Sequence, residues 1–342
     1  MGCCYCTSQG LRSLGWVAWV DLSSLILPFC FHNTTDSTSV SEESMGQEES
    51  KKASASNESS DQGEATKDST SSSDESTEQV FDEPWRVIDW GNNEELVKEL
   101  TEYQPEIEGV KHLRVLVYGP VGAGKSSLIN SMISALLGRM TIPAAVSNTQ
   151  ADEGSFTVQY KAHRIRKGRG KTKTYYPFLF NDIMGLESDQ NMGVRADDIK
   201  LAMMGHVREG YKFNPKSSIS STNASEINSS VIQKMKEVRQ TARDLGIPQI
   251  AIGTHIDEMY AEIEKDLKNV YKSKSLRKKM EMFSSEVGIP LNCIMAVKNY
   301  SEETKNNPDM DTLILTALKQ MVNFGDDFIE EMSEMSDAAD KI

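Results

Sequence analysis

Beyond residue 80 the apolar and polar positions follow two alternating periods. HLRVLVY (His112–Tyr118), YYPFLF (Tyr175–Phe180), QIAIG (Gln249–Gly253) and LNCIMAV (Leu291–Val297) are short, apolar-rich runs. That is the pattern of strands covered on both faces. Between them the apolar residues fall at helical spacing. Leu128, Ile129, Met132, Ile133, Leu136 and Leu137 share one face of Ser126–Leu137, and Gly138 is a natural stop. Val231–Leu245, Leu276–Val287 and Leu313–Val322 read as sheet-covering helices. Another helix opens at Asp257 and runs through Met259, Ile263, Leu267 and Val270. Lys161–Lys173, dense in Lys and Arg around Gly168 and Gly170, reads as a hairpin tip between Gly154–Ile165 and Lys173–Phe180. Strands alternating with helices predict an α/β fold, a three-layer domain with a mostly parallel sheet over residues 106–330.

Before residue 80 the pattern lapses. Residues 36–80 are Ser, Thr, Glu and Asp with almost no large apolar side chains. Such a segment buries too little surface to offset its ordering entropy, so a disordered tail is expected. LGWVAWVDLSSLILPFC (Leu14–Cys30) is apolar but interrupted by Asp21 and stopped by Pro28. A membrane-spanning helix needs about 20 predominantly apolar residues, and no clear signal-peptide cleavage site follows. The expectation is a variable, poorly ordered stretch. Trp85, Val87, Ile88 and Trp90 then anchor a lead-in over residues 81–105, with a short helix at Glu94–Tyr103 ending before Pro105. Residues 331–342 read as a flexible end.

Charge sharpens this division. The 342 residues carry 37 basic and 51 acidic side chains, a net of −14. Residues 1–80 hold four of the basic and thirteen of the acidic ones. An acidic total argues against a specific nucleic-acid binder. Four of the five cysteines (Cys3, Cys4, Cys6 and Cys30) precede the folded body, which retains only Cys293. A disulfide-stapled fold is thereby excluded for the body, and a cytoplasmic location is the simplest reading. Cys3, Cys4 and Cys6 offer sites for lipidation, the one route to membrane contact in the sequence.

The chemistry begins at GPVGAGKS, Gly119–Ser126, which satisfies G-x-x-x-x-G-K-[ST] at every defined position. It follows a strand and opens a helix, the context the motif requires. Gly119, Gly122 and Gly124 let the backbone turn its N–H groups toward phosphate oxygens, with Ala123 and Ser127 in the same cradle. The helix N-terminus adds partial positive charge. Lys125 reaches the β- and γ-phosphates, and the Ser126 hydroxyl faces Mg²⁺. Asp182-Ile183-Met184-Gly185 follows a second strand and matches D-x-x-G. Asp182 would stand on the Mg²⁺ side and the Gly185 N–H would meet the γ-phosphate.

Base reading is expected after the third strand, at Thr254-His255-Ile256-Asp257. Asp257 can accept two hydrogen bonds from guanine N1 and N2, an edge adenine does not present. His255 stands where a Lys usually stacks on the base. Asp257 as a simple helix N-cap is the competing reading. The last strand, Leu291–Val297, ends at Lys298-Asn299, which occupies the place of a further base-contacting loop; an ordinary core strand is the competing reading. These residues predict GTP or GDP with Mg²⁺ as ligands.

With the motifs placed, the chain resembles the interferon-induced protein 44 family, in its 44-like branch. The resemblance rests on FDEPWRVIDW (Phe81–Trp90), HLRVLVYGPVGAGKSSLINS (His112–Ser131), NDIMGLE (Asn181–Glu187), GIPQIAIGTHIDE (Gly246–Glu258), EKDLKNVYKSK (Glu264–Lys274), GIPLNC (Gly288–Cys293), VKNYSEE (Val297–Glu303) and NFGDDFI (Asn323–Ile329). It covers residues 81–330. It implies an interferon-inducible, cytoplasmic, GTP-binding protein of innate antiviral defence, acting with protein partners or by self-association. An interaction protein that keeps the fold without a working pocket is the alternative. The larger N-terminal domain of some members is not expected here.

Two departures qualify what the resemblance implies. Leu186 follows D-x-x-G, where small GTPases place a water-orienting Gln, so at most slow GTP hydrolysis is expected. The Mg²⁺-binding Thr of the first switch is either Thr141 or Thr149. Second, YKFNPKSSISSTNASEINSS (Tyr211–Ser230) is polar where the family resemblance implies a Val-rich strand, and Ser221-Thr222-Asn223 looks like a deletion junction. Loss of an interior strand leaves ladder groups unpaired. The expectation is that His112–Tyr118 closes directly onto Gln249–Gly253.

Overall fold

LRVLV, apolar except for Arg114, forms a five-residue strand that is buried except at that arginine. Around it is built a mixed α/β structure, seen in a computed structural model that describes residues 16–21, 80–144, 159–187, 193–214 and 231–339. Its strands are β1 (Trp16–Asp21), β2 (Leu113–Val117), β3 (Lys161–Lys167), β4 (Thr174–Asp182), β5 (Gln249–Gly253) and β6 (Ile294–Ala296). They form one sheet in the order β3-β4-β2-β1-β5-β6. The β2–β4, β1–β2, β1–β5 and β5–β6 ladders are parallel, and only β3–β4 is antiparallel. The β3–β4 pair is the hairpin expected around the basic tip.

The expected closure of β2 onto β5 does not occur. Trp16–Asp21 lies between them, with Val17 opposite Val115 on one side and Trp19 opposite Ile250 on the other. The segment read as poorly ordered is thus a central strand. Its run WVAWV is continuously apolar, the sequence pattern of interior parallel strands. An interior gap would strand backbone donors and acceptors. The chain meets that demand from its N-terminal side instead. The apparent junction at Ser221–Asn223 and the cysteines at 3, 4, 6 and 30 lie outside the described residues, as does Thr149.

The helices are α1 (Asn93–Glu102), α2 (Lys125–Leu137), α3 (Ala196–Met203), α4 (Val231–Asp244), α5 (Ile256–Met259), α6 (Ala261–Lys265), α7 (Lys274–Val287) and α8 (Pro308–Ala339). α8 lies against β1 and β2 and also touches α1 and α2, while α4 packs between α3 and α7. α8 continues as helix through residues 331–339, a stretch the sequence set apart as a flexible end. No described helix is long and apolar enough to cross a membrane.

The single helix expected beyond Asp257 is broken twice. Tyr260 (φ −133°, ψ 105°) separates α5 from α6, and Asp266 (φ −150°, ψ 113°) ends α6. Asp266 Oδ1 accepts from the Lys268 backbone N–H at 3.0 Å, a local bond that competes with helix continuation. Ile263 and Val270 are buried nonetheless. Apolar periodicity located the core face correctly, and the polar residue between decided where the backbone turned.

The lead-in at residues 81–90 bonds to the body at Lys272, Tyr271 and β6. Phe81 and Trp85 donate backbone N–H groups to Lys272 and Tyr271. Arg86 bridges Ile294 O at 2.6 Å and Leu291 O at 2.7 Å, with its guanidinium over the Trp85 and Tyr271 rings. This fastens the start of the body to the strand end at β6. Val87, expected as an anchor, is 83% exposed.

His163 on β3 is buried opposite Phe180. Burial, with Lys161 nearby, pushes its pKa down from 6.5 to about 4. The folded state therefore holds fewer protons than the unfolded chain between those values. Its contribution is fully present above pH 6.5 and is lost as the pH falls through about 4. His163→Phe should flatten the fall in thermal midpoint between pH 7 and pH 4.5. An equal fall in both proteins would assign the acid sensitivity elsewhere.

Candidate functional site

The parallel strands β2, β4 and β5 end on the same edge of the sheet, and each delivers one expected motif there. After β2, Tyr118 is buried and the chain turns through residues 119–124. Gly122 (φ 81°) and Gly124 (φ 70°) adopt the left-handed conformation that favours glycine. A Cβ at Gly124 would lie 2.8 Å from Asn299 Nδ2, so the backbone there is closely approached as well as twisted. Gly124 caps α2, and its carbonyl accepts from the Leu128 N–H at 2.7 Å. Lys125 is buried and donates to Pro120 O at 2.6 Å, which ties the cation back across its own loop. Ser127 is half-buried, and its carbonyl accepts from Ser131 Oγ.

β4 carries Asp182 at its end, level with Val117 of β2. This register brings the carboxylate to the start of α2. Ser126 Oγ donates to Asp182 Oδ2 at 2.7 Å. Asp182 is 2% exposed, and its Oδ1 has no hydrogen-bond partner. Burial raises its pKa, opposed by the Ser126 bond and by the Lys125 charge. A buried carboxylate with one unmatched oxygen is an unfinished arrangement, and a cation is one means of completing it.

The D-x-x-G loop is stitched to the phosphate loop. Val121 N–H donates to Leu186 O at 3.0 Å, and Leu186 N–H donates to Gly119 O at 2.9 Å. A Cβ at Gly185 would lie 2.5 Å from Val121 Cγ2 and 2.9 Å from the Val121 backbone, so only glycine fits. Leu186 is 1% exposed. Its side chain is core and does not face the mouth of the loop. Thr141 belongs elsewhere. Its N–H donates to Ser134 Oγ at 2.9 Å, nine residues along α2, about 13 Å from the helix start.

After β5, Thr254 is buried and its hydroxyl donates to Ala123 O at 3.1 Å. His255 holds a left-handed backbone (φ 55°), which is uncommon for a residue with a side chain. Its Nδ1 lies 3.1 Å from Glu258 Oε1, while buried Nε2 has no hydrogen-bond partner and faces Gly124. His255, not Asp257, is the N-cap of α5, so the capping role for Asp257 is excluded. Asp257 instead pairs with Lys298 at 3.0 Å, and Lys298 also approaches Glu303 at 3.6 Å. Burial alone would lower the Lys298 pKa, but the bonded Asp257 and nearby Glu303 outweigh it and hold it above its ordinary value.

Two expected contributors, Asp257 and Lys298, thus meet each other directly. Asn299, beside Lys298 in the same expected loop, lies against the phosphate loop. It donates from Nδ2 to Gly124 O at 3.2 Å, and its Oδ1 is buried without a partner. Among the described residues no group of three or more His, Cys, Asp or Glu could hold a metal ion. Any cation here would rest on Ser126, Asp182 and the oxygens of its ligand.

No protein-family model matches the chain. Curated relatives do. The chain is 33% identical over 261 residues to Interferon-induced protein 44 of Homo sapiens and of Pan troglodytes, covering 69% of this chain and 57% of theirs. It belongs to the interferon-induced protein 44 family. Identity to the human 44-like protein is 29% over 262 residues. The 44-like branch suggested by the motifs is therefore not singled out within the family. The chain spans little more than half the length of these relatives.

Proposed function

We propose that this chain is an interferon-inducible, guanine-nucleotide-binding protein of innate antiviral defence, with a P-loop GTPase-like fold and slow or no intrinsic hydrolysis. The observation that carries the reading is the Ser126–Asp182 hydrogen bond at the start of α2, beside buried Lys125, with Asp182 Oδ1 unmatched. A hydroxyl and a carboxylate suit a hard, oxygen-seeking cation, so the donor set fits Mg²⁺. Gly122 and Gly124 supply the twisted backbone that a phosphate cradle needs. Mg²⁺, when bound, supplies positive charge that offsets the β- and γ-phosphates. Ser126 and Asp182 would hold it, directly or through water, while Lys125 exchanges its bond to Pro120 O for phosphate oxygens.

The sheet order supports the same fold, because strands bearing the phosphate loop and D-x-x-G are adjacent, with the T-H-I-D strand beyond one intervening strand. Leu186 has no group able to orient water, which supports binding without fast turnover. The printed names of the relatives support interferon induction. A cytoplasmic site of action and dependence on protein partners or self-association belong to the same proposal.

Guanine selectivity rests on Asp257. In the proposed complex its carboxylate accepts from guanine N1 and N2, with Lys298 paired to it at 3.0 Å. Asp257→Asn should shift preference from GTP toward XTP, because an amide donates where the carboxylate only accepts. The ratio of GTP to XTP affinity, measured on both proteins, checks this. An unchanged ratio would leave Asp257 as the ion-pair partner of Lys298 alone.

A further inference from the structure

The central strand of the sheet and its two neighbours are far apart in sequence. β1 ends at Asp21, whereas the next described residue is Val80 and β2 begins at Leu113. The 58 residues from 22 to 79 have a covalent reach of roughly 190 Å. A domain of about 250 residues has a radius of gyration near 18 Å. Covalent connection therefore puts no limit on which slot β1 enters. What fixes it is pairing: Trp16–Trp19 match Arg114–Val117 on one side, and Ala18–Asp21 match Gln249–Ile252 on the other. Without it, β2 and β5 would each present an unpaired interior edge, separated by about two strand spacings, roughly 9–10 Å. That is a slot one extended segment wide, with parallel ladders available on both walls.

We propose that the space between β2 and β5 is a strand-accepting site, that Trp16–Asp21 is its ligand, and that a second copy of this chain can deliver the same strand in trans. Main-chain hydrogen bonds on both sides supply affinity, and the apolar run WVAWV supplies selectivity for a doubly covered position. α8 lies against β1 and β2 and closes one face over the inserted strand. The inference stands on sheet topology and is independent of whether nucleotide binds.

The test uses the full chain. Ala18→Pro removes a ladder donor at the middle of β1, a substitution a central strand does not tolerate, and should lower the thermal midpoint by roughly 10 °C. A synthetic peptide of residues 13–24 should restore the midpoint of the variant, and a scrambled peptide should not. An unchanged midpoint in Ala18→Pro, or a fall that the peptide does not reverse, overturns the proposal. Should the variant fail to fold, a protease-cleavage sequence inserted after Gly63 in the otherwise unaltered chain gives the second measurement. After cleavage the N-terminal fragment should co-elute with the body on gel filtration. Its release would overturn the proposal.

Discussion

Lys125→Ala is expected to weaken GTP binding at least tenfold, about 1.4 kcal/mol, as loss of a charge-assisted contact does. The side chain is 7% exposed and spans its own loop to Pro120 O. Alanine removes that bond too, so the variant needs a stability control alongside the binding measurement. Lys125→Ala should keep most of its thermal midpoint, because the hydrogen bonds from the Leu128 N–H to Gly124 O and from the Thr254 hydroxyl to Ala123 O remain. Labelled GTP titrated into both proteins separates the possibilities. Equal affinities would remove Lys125 from the nucleotide site.

Gly185→Ala should be more disruptive to structure. The new methyl would overlap Val121 Cγ2 and approach its backbone within 2.9 Å, and a backbone neighbour cannot step aside as a flexible side chain can. Overpacking of this kind costs about 1–3 kcal/mol, roughly 2–12 °C in midpoint for a domain of this size. The paired bonds between residues 119–121 and Leu186 are the ones that must stretch. The D-x-x-G loop would then withdraw from the phosphate loop, and GTP affinity should fall with the midpoint. Gly122→Ala is the comparison, since a Cβ there meets nothing within 4 Å and the strain is only that of its positive φ. If Gly185→Ala melts and binds like the parent chain, the close docking of the two loops is not part of the site.

Local chemistry made much of this legible. GPVGAGKS announced its strand, turn and helix because glycine positions, the following Lys-Ser and the apolar face of α2 all depend on neighbours in sequence. Asp182 was legible as a carboxylate following a second apolar strand, but the register that sets it beside Ser126 is a pairing of β4 with β2, which are distant in sequence. The central strand was not legible. WVAWVD finds its partners 98 residues away at Arg114 and beyond, and Asp21 and Pro28 argued locally against order. Only the unmet pairing of β2 and β5 gives the segment its value. The pairing of Asp257 with Lys298, and of Asn299 with Gly124, likewise depends on where β5 and β6 end in space. Leu186 illustrates the reverse case. Its lack of a polar group was evident from sequence, but its burial and its bonds to the phosphate loop depend on the β4–β2 register.

The central claim is guanine-nucleotide binding through the phosphate loop, and nucleotide titration of the full chain with Mg²⁺ tests it most directly. The full chain is required because the body between residues 81 and 342 lacks its middle strand without Trp16–Asp21. Calorimetric titration with GTP and, separately, ATP should give saturable binding for GTP and markedly weaker binding for ATP, with GTP affinity reduced when Mg²⁺ is chelated. Equal binding of both nucleotides would contradict the role given to Asp257, and no binding of either by a folded chain would contradict the account as a whole.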